Sequence, residues 1–154
     1  MTDAVELRMR ARKLGLAASE EFWAFSDQDA LNRLYNGFGP DRWPETLRSA
    51  MTWIYRNYEE SALPHDFDYT FSDGTIAGWL AADSRIIANM RKQRDALYPL
   101  AKFWLWPCRA AASAKIRAAE VALELAGYHA YQEAYLRRTS GDTGRRLAKN
   151  GAAV

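Results

Sequence analysis

From Ile76 to Tyr98, and again from Arg109 to Arg138, the chain runs without a proline and carries its apolar residues at helical spacing. No segment anywhere in the sequence alternates with period two, the pattern of a half-buried strand. The chain therefore reads as all-α.

The remaining elements follow from periodicity and punctuation. Val5, Leu7, Met9, Leu14 and Leu16 mark a first helix, and Ser19 followed by Glu20, Glu21, Phe22, Trp23 and Phe25 a short second one. Ser26-Asp27-Gln28-Asp29 has the serine-to-acid spacing of a capping box and opens a third helix through Leu31, Leu34 and Tyr35, stopping at Gly37. Asn36-Gly37-Phe38-Gly39-Pro40 is a loop, because its glycines and proline oppose helix. From Pro44 to about Ala62, Leu47, Met51, Ile54, Tyr55 and Tyr58 keep helical spacing, and Pro64 marks a break or a new first turn. Residues 65–71 suit helix or extended chain. Ser72-Asp73-Gly74-Thr75 is a turn offering Thr75 as N-cap to the helix that Pro99 ends. Leu100 to Trp106 is a short apolar piece stopped by Pro107, and residues 139–154 form a flexible basic tail.

With 154 residues, 49% of them apolar, the chain suffices for one helical domain over residues 1–138. Its longest apolar stretch, Leu97 to Ala114, is interrupted by Lys102, Pro107 and Arg109 and is too broken to span a bilayer. No transmembrane segment and no signal peptide are expected. The single cysteine, Cys108, forms no internal disulfide and reads as an inert core thiol. The net charge of +2 is too small to favour nucleic acid, but residues 98–154 hold nine basic and four acidic groups. That surplus suits an anionic lipid surface, an acidic protein partner or, through Arg137, Arg138, Arg145, Arg146 and Lys149, a phosphate backbone, and equally a plain solvated helix face.

Only two histidines, His65 and His129, are present, which excludes multi-histidine metal sites. His129 lies among Tyr128, Tyr131 and Tyr135 and reads as structural. His65 stands in Pro64-His65-Asp66-Phe67-Asp68-Tyr69. If the segments flanking the 72–75 turn are antiparallel helices, His65 is mirrored near position 82 or 83, where Asp83 stands. Tyr69, four residues after His65, shares its face, and Asp66 points about 100° away. Asp83 would fix the imidazole tautomer, leaving the other nitrogen to take a proton from water. Asp66 would hold a hard cation together with backbone carbonyls of the glycine loop. Two plainer readings stay open: Gly37 and Gly39 end a helix and turn the chain, and His65 is a buried structural residue bonded to Asp83.

Tyr35-x-Gly37-x-Gly39, His65-Asp66-x-x-Tyr69 and Ala82-Asp83, in that order, resemble the calcium-dependent, His/Asp-dyad phospholipase A2 superfamily. The pattern is most similar to the cysteine-free phospholipase A2-like domain of parvovirus capsid proteins, and the resemblance covers about residues 31–95. It implies a Ca2+ ion held by Tyr35, Gly37, Gly39 and Asp66, with His65, Asp83 and Tyr69 as the catalytic group. It further implies hydrolysis of the sn-2 ester of glycerophospholipids, a transient peripheral membrane partner, and a cytoplasmic or virion-associated setting. Trp104 and Trp106 are expected in the core; alternatively, with Phe38 and Trp43, they would suit docking to lipid near the site mouth. The competing expectation is a non-catalytic structural or interaction protein of a phage or mobile element that keeps the scaffold.

Overall fold

A computed structural model describes residues 3–35 and 44–141. Among them are seven α-helices and no strand: α1 (Ala4–Lys13), α2 (Glu20–Ala24), α3 (Gln28–Leu34), α4 (Glu45–Ile54), α5 (Glu59–Thr70), α6 (Ile76–Leu97) and α7 (Trp106–Thr139). None of these helices is long and apolar enough to cross a membrane.

Most helix starts obey side-chain capping. Asp3, Ser19 and Thr75 accept hydrogen bonds from Val5, Phe22 and Gly78, satisfying amides that the helix itself leaves unpaired. At α3 the cap is Asp27, which accepts from the Ala30 amide at 2.9 Å, and not Ser26; a carboxylate makes the stronger, charge-assisted bond to a helix N-terminus.

Four expectations fail for physical reasons. The helix read from Pro44 to Ala62 breaks at Tyr55, and a short 3-10 turn over Arg56–Tyr58 redirects the chain. The break lets the rings of Tyr55 and Tyr58 enter the core, whereas α4 buries no residue at all. Pro64 neither breaks nor opens a helix; it lies inside α5, fully buried. Leu63 and Phe67 bury on one side of α5 while Ser61 bonds Gln93 of α6 on another, and this packing outweighs the lost amide. Pro107 does not stop an element but opens α7 in its first turn, where a missing N–H costs nothing. Cys108, Trp104 and Trp106 are exposed and not core, because the α6–α7 connection projects beyond the helices that would cover it.

α5 is the central wall. On one side α1, α2 and α3 pack Leu7, Phe22, Leu31 and Tyr35 against Ala62, Leu63 and Phe67. A second cluster joins Tyr55 and Tyr58 to Ile86, Ile87 and Met90 of α6 and Ile116 of α7. Ser61 near the start of α5 meets Gln93 late in α6, and Tyr69 near its end meets Asp83 early in α6, so the two helices are antiparallel. Arg94–Ser113 and Trp79–Tyr128 show the same for α6 and α7.

The turn between α5 and α6 is fixed from α7. Gly74 takes φ +73, open to glycine, with the Tyr135 ring where a side chain would stand. The Tyr131 hydroxyl donates to Asp73 at 3.0 Å, and the Ser72 hydroxyl donates to the Tyr131 carbonyl. At the other end Asn89, buried in α6, accepts from the Ala17 amide at 2.8 Å and donates to the Ala17 carbonyl at 2.7 Å, stitching the first layer to the hairpin. Asn89→Ala should therefore cost about 2 kcal/mol in a urea unfolding curve, since it removes two hydrogen bonds that a buried side chain makes to the Ala17 backbone. An unchanged midpoint would show that water replaces both bonds.

Candidate functional site

α5 supplies three of the side chains singled out in the sequence, and the 72–75 turn folds α6 back so that Asp83 meets them. His65 Nε2 lies 3.2 Å from Asp83 Oδ1, and the Tyr69 hydroxyl donates to the same oxygen at 2.7 Å. The His65 and Tyr69 rings, one helical turn apart, lie in contact with centroids 4.1 Å apart and planes tilted by 38°. The other imidazole nitrogen, Nδ1, faces Asp66 Oδ1 at 3.8 Å. Both the His65 and Asp83 side chains are only 12% exposed, and Asp66 is 20% exposed at the rim.

The electrostatics follow. Burial alone would lower the His65 pKa, but the Asp66 and Asp83 carboxylates beside it outweigh burial and raise it to about 9. Burial, followed by the Asp83 charge, holds the Tyr69 phenol protonated well above its ordinary range. Tyr69 is therefore a donor to Asp83 at any physiological pH.

α7 closes the cluster from the opposite side. Tyr69 also reaches the Gly127 carbonyl at 3.3 Å. A Cβ on Gly127 would stand 2.6 Å from Asp83 Oδ2, 2.8 Å from Trp79 Nε1 and 3.0 Å from the Tyr69 hydroxyl. Glycine is what lets the helix backbone approach a buried carboxylate this closely. Neither Gly127 nor Trp79 emerges from the motif spacing, although an isolated glycine in an alanine-rich helix is a visible signal of close packing.

Of the cation ligands that the resemblance implies, Tyr35 and Asp66 fall on one side of the molecule. Tyr35 caps α3, is buried against Ala62, Leu63 and Phe67, and its phenol is held protonated by burial and by the negative charges of Glu59, Asp66 and Glu60. Gly37, Phe38, Gly39 and Trp43 lie outside the described residues. Among the described residues no three His, Cys, Asp or Glu side chains cluster as a metal site by themselves. Asp68 is not part of this group; it turns to Arg85 and to the Ser19 hydroxyl. His129 stands apart and exposed, 3.2 Å from Glu133 on its own helix.

No family model matches this chain, and no curated protein or solved structure is similar enough to it to count as a match. Any functional reading therefore rests on the residues themselves.

Two outcomes follow from the geometry. A histidine whose folded pKa of about 9 exceeds its ordinary 6.5 stabilises the fold fully below pH 6.5, and loses that contribution as pH rises through 9. In cation-free buffer, denaturant unfolding should show a decline of up to about 3 kcal/mol over that window. His65→Gln should flatten the curve; a decline of the same size in the variant would assign it elsewhere. Separately, Gly127→Ala gains about 1 kcal/mol of helix propensity yet should destabilise overall by about 1 to 3 kcal/mol, because Asp83 cannot swing aside without leaving His65 and Tyr69. Calorimetry decides the sign.

Proposed function

We propose that the protein is a calcium-dependent hydrolase acting on the sn-2 ester of glycerophospholipids. The observation that carries this reading is the orientation of His65: Asp83 engages Nε2, and Nδ1 is left toward Asp66 at the more exposed edge of the cluster. In the neutral imidazole, with Nε2 protonated and bonded to Asp83, Nδ1 is the basic nitrogen that a general base needs; a cation bound at Asp66 would offset the negative charge that raises the His65 pKa and so favour that neutral form. Tyr69 holds the Asp83 carboxylate still while the imidazole gains and loses its proton.

In the proposed reaction the oxygen of a water attacks the ester carbonyl carbon as His65 Nδ1 removes one of its protons. The tetrahedral adduct then collapses, the bond to the glycerol oxygen breaks, and His65 returns the proton to that oxygen. The products are a fatty acid and a lysophospholipid. Asp66 and the backbone of Tyr35, Gly37 and Gly39 would hold the cation; the donor set, one carboxylate with carbonyl oxygens, suits a hard ion. Bound there, calcium would polarise the ester carbonyl and stabilise the developing oxyanion.

One observation favours the alternative, a non-catalytic structural or interaction protein of a phage or mobile element. His65, Asp83 and Tyr69 with Gly127 tie α5, α6 and α7 together, as a purely structural polar knot would.

Phospholipid hydrolysis across a calcium titration separates them. His65→Gln should abolish activity with the fold intact, since an amide cannot accept the proton. Asp66→Asn should shift the calcium requirement far upward. Asp83→Asn should leave that requirement nearly unchanged and lower turnover through a misoriented imidazole. Wild-type activity that survives chelation removes the calcium mechanism, and an inactive wild type at saturating calcium on several lipid surfaces establishes the structural alternative.

A further inference from the structure

The connection between α6 and α7 exposes an unusual amount of aromatic surface. Leu100 is 76% exposed, Phe103 80%, Trp104 62% and Trp106 68%, and together with Lys102 they line one shallow open concavity. The rings of Phe103 and Trp104 meet edge to face with centroids 5.5 Å apart, so they present one patch and not scattered side chains. Contiguous apolar surface of this kind marks an interaction site.

Charge indicates what the patch meets. Residues 91–120 hold seven basic side chains against Asp95 and Glu120, a surplus of five in a chain whose total is +2. Ion pairing does not cancel it: Arg94 and Arg109 share Asp95, and Arg91 and Arg117 share Glu120. Lys102 and Arg109 line the concavity together with the aromatic residues, and Lys92 and Lys115 lie farther along α6 and α7, where they donate to the Gly15 and Ile54 carbonyls. A second copy of this chain would bring the same positive end against it and be repelled. An aromatic tip that carries Lys102 and Arg109, on the basic stretch of the chain, fits the interface of an anionic bilayer, where Trp rings settle at headgroup level and lysine meets acidic lipid.

We infer that the α6–α7 tip is a docking surface for anionic lipid bilayers. It is not the mouth of the His65 site: Asp83 lies fourteen residues before Leu97, about 21 Å along α6 at 1.5 Å per residue. The tip shares a lipid target with the hydrolase reading but no residue of it, so either can fail alone.

The test is co-sedimentation of the full chain with vesicles of phosphatidylcholine alone or mixed with phosphatidylglycerol, in chelator. Wild type should bind the mixed vesicles, bind neutral ones far less, and release as salt rises. Phe103→Ser/Trp104→Ser should abolish binding. Lys102→Glu, which keeps every aromatic ring and reverses one charge, should weaken it roughly tenfold or more, since each basic group near such a surface contributes about 1 kcal/mol. His65→Gln should bind as wild type does, which keeps this result distinct from any loss of hydrolysis. Absence of wild-type binding, equal binding to neutral vesicles, or full binding by both tip variants would overturn the inference. So would sedimentation showing a wild-type dimer that the double variant dissolves without any vesicle association, which would assign the tip to self-contact.

Discussion

A buried carboxylate must be paired, and the interior of this protein is arranged around that requirement at Asp83. Removing such a charge from water costs several kcal/mol unless hydrogen bonds and opposite charge replace the lost solvation. His65 and Tyr69 replace it at one oxygen, both delivered by a single face of α5. For that face to reach α6 the chain must reverse within residues 71–75, which needs the positive φ of Gly74 and the Thr75 cap. For the carboxylate to stay dry α7 must press against it, which Gly127 allows. One electrostatic constraint thus fixes the turn, the pairing of α5 with α6, and the depth at which α7 sits.

The same geometry serves both functional readings. A polar knot that never reacts and a general base held in its productive tautomer need the same Asp83 and the same Tyr69. They differ at Nδ1. A purely structural histidine gains by engaging both nitrogens, whereas Nδ1 here faces Asp66 only at 3.8 Å, longer than a good hydrogen bond, and at the more exposed rim. That looser side is where water and a substrate ester would have to enter.

Much of this was legible in the sequence because it depends on local rules. Thr75 as a cap, the glycine turn and the i, i+4 relation of His65 to Tyr69 are short-range, so register alone brings Asp83 opposite His65. The failures are long-range. Pro64 reads as a break until Leu63, Phe67 and the Ser61–Gln93 bond are seen holding α5 on two sides. Tyr55 and Tyr58 keep helical spacing with Leu47 and Met51, but the core takes the tyrosines and leaves α4 outside, and only tertiary packing makes that choice. Trp104 and Trp106 look like core by composition; nothing local says that α6 and α7 outrun their neighbours and leave the connection bare. Gly37 and Gly39 lie outside the described residues, so the loop half of the proposed cation site rests on the sequence.

The positive tip and the acidic, histidine-bearing cluster occupy opposite stretches of one helical hairpin, and their separation has an energetic meaning. At about 0.1 M salt the Debye length is about 10 Å, roughly half the distance that α6 imposes between Asp83 and Leu97. The surplus charge at the tip therefore contributes little to the potential at His65, whose basicity is set by Asp66 and Asp83 beside it. Substitutions so far apart, sharing no partner, combine additively to within a few tenths of a kcal/mol. Contact between the tip and a bilayer would accordingly change where the cluster is held and how much lipid it encounters, leaving the chemistry of the imidazole as the three helices have already fixed it.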